Sequence, residues 1–145
     1  MTIEVSSDVQ KLNIGDIHEM LSNVFWSPGI TKNEILKGIR NSALVVGAYV
    51  EGGKQVGFLR VVSDKVRFAY INDVVVHEDY RRHGLGQKMV NFALSHTELK
   101  DVYQWLLVTT DAHGVYGKCG FELLKNHENW MTIIKPRPDR ANFAG

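Results

Sequence analysis

At 145 residues, 44% hydrophobic and 23% charged, the chain has the proportions of a soluble globular domain long enough to bury a core. A net charge of +1 excludes a bulk field for nucleic acid or an acidic membrane, so any anion site must be local. The single cysteine, Cys119, excludes an internal disulfide and a zinc cluster.

A first strand is expected over Ile3–Val5. A helix follows with Asn13 as N-cap, Asp16 three residues on, and Ile14, Ile17, Leu21 and Val24 on one face. FWSPGI breaks the chain, and a second helix starts at Thr31, whose capping box with Glu34 precedes Ile35, Leu36 and Ile39. Residues 43–76 then hold three β-rich runs separated by EGGK and SDK, which read as hairpin turns. The third run loses its alternation in Val74-Val75-Val76, as a strand covered on both faces does. The next helix keeps Leu85, Met89, Phe92 and Ala93 on one side and crosses to a strand in YQWLLVTT. A strand, a helix and a returning strand suggest a right-handed parallel crossover. A short helix near Ala112–Lys118 and strands near Phe121–Leu124 and Trp130–Ile134 complete the pattern. The sum is one α/β domain over residues 1–145, with a mixed sheet that is antiparallel early and parallel at its centre.

Between the third β run and the third helix lies VVHEDYRRHGLGQKMV. Free backbone amides and cationic side chains meet there at the positive end of a helix dipole, which suits an anion. No P-loop string occurs, and Met89 stands where a dinucleotide fingerprint needs its third glycine. Gly84-x-Gly86 by itself also fits a plain tight turn from strand to helix.

The fuller string Arg81-x-x-Gly84-x-Gly86, after a strand that ends at Val76, resembles the acetyl-CoA signature of the GNAT superfamily of N-acetyltransferases. A second stretch, Tyr116-x-Lys118-x-Gly120-Phe121, is similar to the close of that family's second motif. The likeness extends over nearly the whole chain and implies a mostly antiparallel, twisted mixed sheet with a central parallel pair, flanked by helices. It implies that acetyl-CoA is bound by Val74, Val75 and Val76, which pair with the pantetheine arm, and by the loop Arg81, Arg82, His83, Gly84, Leu85 and Gly86, which holds the pyrophosphate. Thr109 stands where many relatives carry an asparagine that contacts the coenzyme, with Asp111 and His113 following. Tyr116 would face the sulfur and protonate the departing thiolate, a task for which a phenol with a reference pKa of about 10 carries the proton at neutral pH. As a helix tyrosine it also suits plain packing on the sheet.

The acceptor amine must arrive as a free base. By strand parity Tyr70, Asn72 and Val74 share one face and Ile71, Asp73 and Val75 the other. Relatives hold a carboxylate or histidine at the places of Tyr70 or Asn72; here Asp73 is the adjacent carboxylate, either a catalytic relay and cation anchor or a structural group. Phe25 and Trp26 beside the Pro-Gly break, with Tyr70 and Asp73, are the expected acceptor wall, and Trp130 adds aromatic surface. The expected activity is acetyl transfer to a small, cationic amine in a ternary complex; an acyl-CoA sensor with little turnover is the alternative. No histidine pair with a carboxylate points to a metal. The opening MTIEVSSDVQ lacks the basic start and apolar run of a signal peptide, and no apolar stretch nears the ~20 residues of a membrane span. The chain is therefore expected in the cytoplasm, without membrane or nucleic-acid partners, its C-terminal strand edges able to pair two copies as a homodimer.

Overall fold

The computed structural model describes residues 2–137. Strand β1 (Ile3–Ser6) is followed by helices α1 (Ile14–Ser22) and α2 (Lys32–Arg40). The strands β2 (Leu44–Val50), β3 (Gln55–Ser63) and β4 (Phe68–Val76) come next, then α3 (Leu85–Leu94), β5 (Gln104–Leu106) and the short α4 (His113–Gly117). The five strands lie in chain order, antiparallel from β1 to β4, with β5 parallel to β4. Met89, Val90 and Ala93 of α3 bury one face of this sheet with Val46, Leu59, Val61 and Ile71. Ile17, Leu21 and Ile35 of α1 and α2 cover the other face over Val45, Phe58 and Val75. Two layers of helix on one sheet give two cores, each continuous across several strands.

Local chemistry starts each helix where the sequence places it. Asn13 Oδ1 accepts the Asp16 N–H at 2.9 Å, and Thr31 Oγ1 accepts the Glu34 N–H at 3.1 Å. The Asp16 carboxylate is used across the fold, accepting the Gln55 N–H at 3.1 Å. Gln55 is fully buried: its Oε1 accepts the Asn13 N–H and its Nε2 donates to the Gly57 carbonyl. That amide ties the start of α1 to β3 and leaves no buried polar atom of its own unmet. On β2 the Tyr49 ring lies across Gly47, where a Cβ would stand 2.3 Å from the phenol oxygen. Glycine at 47 is therefore a packing requirement.

Three differences from the sequence pattern lie in the second half of the sheet. Opposite Leu59, β4 spends two residues where β3 spends one, and Asp73 takes a left-handed φ of 58°. This β-bulge reverses the parity of the strand. Ile71 faces α3 while Val75 faces α1 and α2, so the expected common face of Ile71, Asp73 and Val75 does not exist. β5 keeps only three of the eight residues of YQWLLVTT. The stretches 121–124 and 130–134 are not strands, and neither takes up the open outer edge of β5. The parallel pair consequently stands at the end of the sheet instead of its centre. Among the described residues no helix is long and apolar enough to cross a membrane, and no cluster of three metal-ligating side chains forms.

Candidate active site

β4 and β5 pair only over Phe68–Tyr70 and Gln104–Leu106. Past Tyr70 and Leu106 the two strands part, and the wedge between them holds a cavity of about 370 Å3. Tyr70, Asn72, Asp73 and Val74 line one wall, Leu107, Thr109 and Asp111 the other, with Phe25, Trp26 and Tyr116 over the mouth. A more open cavity of about 440 Å3 continues past Val74, Val75 and Val76 to Arg81. Parted parallel strands leave main-chain donors and acceptors along β4 without a neighbouring strand, ready to pair with an extended, amide-bearing ligand.

The bulge has an ionic anchor. Arg60 Nε donates to Asp73 Oδ2 at 2.8 Å, with both side chains mostly buried. Asparagine and aspartate tolerate left-handed backbone better than most residues, and the guanidinium beside it supplies the attraction that holds Asp73 there. Arg60 itself reaches under α2, close to the Ser42 hydroxyl and the Gly38 backbone. One oxygen of the carboxylate expected to serve the amine is thus already committed to a cation. Arg60 was not among the candidates, although a charge inside the buried run VGFLRVV is itself the mark of an ion pair.

At the far end of the wedge the chain turns sharply into α3. Arg82 and Gly84 both have left-handed φ, 68° and 71°. Gly84 is the N-cap and offers no side-chain oxygen to the first turn of α3. The opening amides of a helix have no partner inside it, so those of Leu85, Gly86 and Gln87 are left for a ligand. A Cβ at Gly84 or Gly86 would meet no atom within 4 Å; the space these glycines clear lies outside the protein. Arg81 Nε donates to the Val76 carbonyl at 3.1 Å, pinning the loop to the end of β4, while Arg82 and His83 are exposed beside it. Bare amides, a helix dipole and two guanidinium groups in one place fit a pyrophosphate.

Tyr116 closes the other side. Burial pushes its phenol above the usual tyrosine value, with the charges of Cys119 and Asp111 acting in the same direction. The hydroxyl makes no hydrogen bond among the described residues, and the ring packs edge-on against Phe121 at 6.3 Å. A proton-bearing phenol therefore stands at the wedge. Thr109 does not present its hydroxyl to the cavity as a free group, since Oγ1 accepts the Ala112 N–H at 3.0 Å. Cys119, partly buried and raised by burial, has its thiol near the Val115 and Gln87 carbonyls, the surroundings of an inert packing thiol.

The fold thus gathers Phe25, Trp26, Tyr70, Asp73, Thr109 and Tyr116 around one cavity, with Val74–Val76 and Arg81 along its extension. Phe25 and Trp26 meet edge to face at 5.2 Å. Trp130 does not line the cavity. Asn72 does, at one of the places where relatives hold a carboxylate or histidine, and so do Leu107 and Thr110, which had not been singled out; the parting of β4 from β5 brings them there.

Residues 41–123 match the model of the acetyltransferase (GNAT) domain. A solved structure from Xanthomonas campestris pv. campestris, belonging to the GNAT family, is 34% identical, covers 94% of this chain and 95% of its own, and superposes with a TM-score of 0.86. The uncharacterized N-acetyltransferase ycf52 of Pyropia yezoensis is 25% identical over 119 residues, 79% of this chain and 68% of that protein. The glucosamine-6-phosphate N-acetyltransferase of Arabidopsis thaliana shares the fold, with a TM-score of 0.67 at 21% identity over 96% of this chain and 100% of that one. A parted strand pair, an uncapped glycine-rich helix start and these likenesses agree: the chain belongs to the GNAT family of acetyltransferases, and its activity is acyl transfer.

Proposed function

We propose that this enzyme moves the acetyl group of acetyl-CoA to the amine of a small cationic acceptor by direct attack in a ternary complex. One observation carries the reading: the cavities run from the proton-bearing Tyr116 along Val74–Val76 to Arg81, on the loop that leads into the uncapped start of α3. Bound acetyl-CoA would supply the activated thioester. Its pyrophosphate fits the amides of Leu85 and Gly86 with Arg81 and Arg82, and its pantetheine arm fits the free edge of Val74–Val76. A main-chain amide of that edge would polarise the thioester oxygen.

The acceptor's place is under Phe25, Trp26 and Tyr70, beside Asp111, which forms no ion pair among the described residues. Aromatic faces and one free carboxylate favour a cation. The amine nitrogen bonds to the carbonyl carbon, the carbon–sulfur bond breaks, and Tyr116 gives its proton to the sulfur. The surplus proton on nitrogen passes to water at the exposed rim, from which the phenolate recovers one. With Oδ2 held by Arg60, Asp73 acts chiefly by keeping the bulge in place, and no side-chain base is required.

Release of CoA thiol over a panel of small amines tests this. Tyr116→Phe is expected to cut turnover by about 100-fold and to leave acetyl-CoA affinity nearly unchanged. Full activity of that variant removes the acid role. Stabilisation by acetyl-CoA without transfer to any amine would leave a binding module in place of the proposed enzyme.

A further inference from the structure

Residues 23–31, between α1 and α2, form a lip over the acetyl-transfer wedge. The flanks of the lip are tied to the body. The Asn23 N–H donates to the Met20 carbonyl at 3.3 Å, the buried Ser27 hydroxyl donates to the Leu21 carbonyl at 2.6 Å, and the His18 ring meets the Ile30 carbonyl at 3.0 Å. Between these ties stand Phe25 and Trp26, 70% and 37% exposed, with their rings edge to face. Among the described residues the backbones of these two form one hydrogen bond, and its donor lies 111 positions along the chain: Arg137 Nη2 donates to the Trp26 carbonyl at 3.0 Å. Trp26 is common to three cavities. It lines the wedge, the extension along Val74–Val76, and a recess of about 230 Å3 beside Arg60 and Asp73. Whatever fixes Trp26 therefore fixes a wall of all three.

The arm that carries Arg137 is fastened at its two ends. At one end the Trp130 N–H donates to the His127 carbonyl at 3.0 Å, and at the other Arg137 reaches Trp26. From Met131 to Pro136 no hydrogen bond or ion pair forms among the described residues, and Met131, Ile133 and Ile134 are almost wholly exposed. A chain held at both ends and loose between them is a strap. It runs from the segment after α4, the helix that supplies Tyr116, to the lip that supplies Trp26, and so joins the two sides of the wedge. We propose that Arg137 is a positioning residue for acetyl transfer: through the Trp26 carbonyl it holds the lip in place and sets the aromatic wall against which the acceptor amine rests. One charge-assisted bond at an exposed site is strong enough to bias the lip and weak enough to open and close within a catalytic cycle. The pyrophosphate loop lies outside the lip, so acetyl-CoA loses no charged partner when the strap is cut. What the wall receives rests on the acceptor reading given above; the strap itself does not.

Hydrogen exchange and steady-state kinetics of the full chain test this with Arg137→Ala and Arg137→Lys. Arg137 is exposed, so both variants are expected to melt with the parent. Arg137→Ala should speed exchange in the peptide spanning residues 23–31 and leave the strands as protected as before. It should also raise the acceptor KM by about tenfold, the loss of roughly one hydrogen bond's worth of binding, with kcat and acetyl-CoA affinity nearly unchanged. Arg137→Lys keeps a cationic donor of similar reach and should restore both lip protection and KM. Lip exchange that is the same in Arg137→Ala as in the parent overturns the strap, and so does faster exchange spread over the whole sheet. An acceptor KM that stays put while the lip loosens overturns the positioning role. Should no amine be turned over, the acceptor reading falls, while faster lip exchange rescued by Arg137→Lys still supports the strap.

Discussion

The two ends of the sheet are built to opposite standards. From β1 to β4 every strand has its neighbour, both faces are covered, and buried side chains such as Val46, Val56, Leu59 and Val61 are fully enclosed. From β4 to β5 pairing stops after three residues, two expected strands do not form, and apolar side chains reach water. Ligand recognition needs main-chain groups and cavities that a finished sheet would have consumed. The closed end supplies a rigid frame, and the open end leaves its unpaired edge to the wedge. Asp73 and Arg60 sit at the frontier, where one ion pair holds the bulged residue three positions past the last β4–β5 pair at Tyr70.

The comparison breaks most sharply if a change in the open half destroys ligand binding and leaves the closed half untouched. Gly86→Val puts a branched side chain into the space before α3, where a Cβ now meets nothing. Loss of two hydrogen bonds to a charged phosphate, about 1.5 kcal/mol each, corresponds to roughly 100-fold weaker binding. Calorimetry with acetyl-CoA should show that loss, while chemical denaturation gives a stability within about 0.5 kcal/mol of the parent. Equal affinity in the variant would move the anion site elsewhere.

A smaller effect is expected at the frontier. Asp73→Asn preserves size and left-handed tolerance but removes the charge opposite Arg60, leaving a mostly buried guanidinium without its counter-ion. Denaturation should report a loss of about 2 kcal/mol, and turnover should fall with it as the bulge loosens. Arg60→Met ought to reproduce both losses. Unchanged stability in either variant would mean that β4 holds its bulge without the pair.

The smallest effect belongs to the closed half and appears only in alkali. Burial pushes the Tyr49 phenol up to about 12, with Asp8 and Glu4 adding to it, and its oxygen has no hydrogen-bond partner among the described residues. The folded chain holds this proton more tightly than the unfolded chain, in which a tyrosine titrates near 10. The stability it contributes is therefore complete below pH 10 and is lost as pH rises towards about 12. Melting temperatures across that window should fall more steeply for the parent than for Tyr49→Phe. Parallel curves would show that the phenol is not the group responsible.

Periodicity and capping made most of the frame legible. Asn13 and Thr31 start their helices as their hydrogen-bonding side chains require, and Leu85, Met89 and Ala93 face the core as their spacing demands. The glycine turn into α3 was equally readable, because a strand end, two arginines and a Gly-x-Gly are local in the chain. Parity failed along β4 because Asp73 inserts an extra residue, and no local pattern distinguishes that aspartate from one in a regular strand. Phe121–Leu124 and Trp130–Ile134 misled for another reason: a β-rich run records a capacity to pair, and these two do not use it although the outer edge of β5 is open.

Short-range chemistry, written in residues a few positions apart, determined the helices, the meander, the glycine loop and membership of an acetyl-transferring family. The meeting of Arg60 with Asp73, the parting of β4 from β5 and the arrival of Phe25, Trp26, Asp111 and Tyr116 at one cavity were decided only by the tertiary structure. These contacts join residues far apart in the chain, and their energies depend on distances and burial that exist only after the sheet has formed.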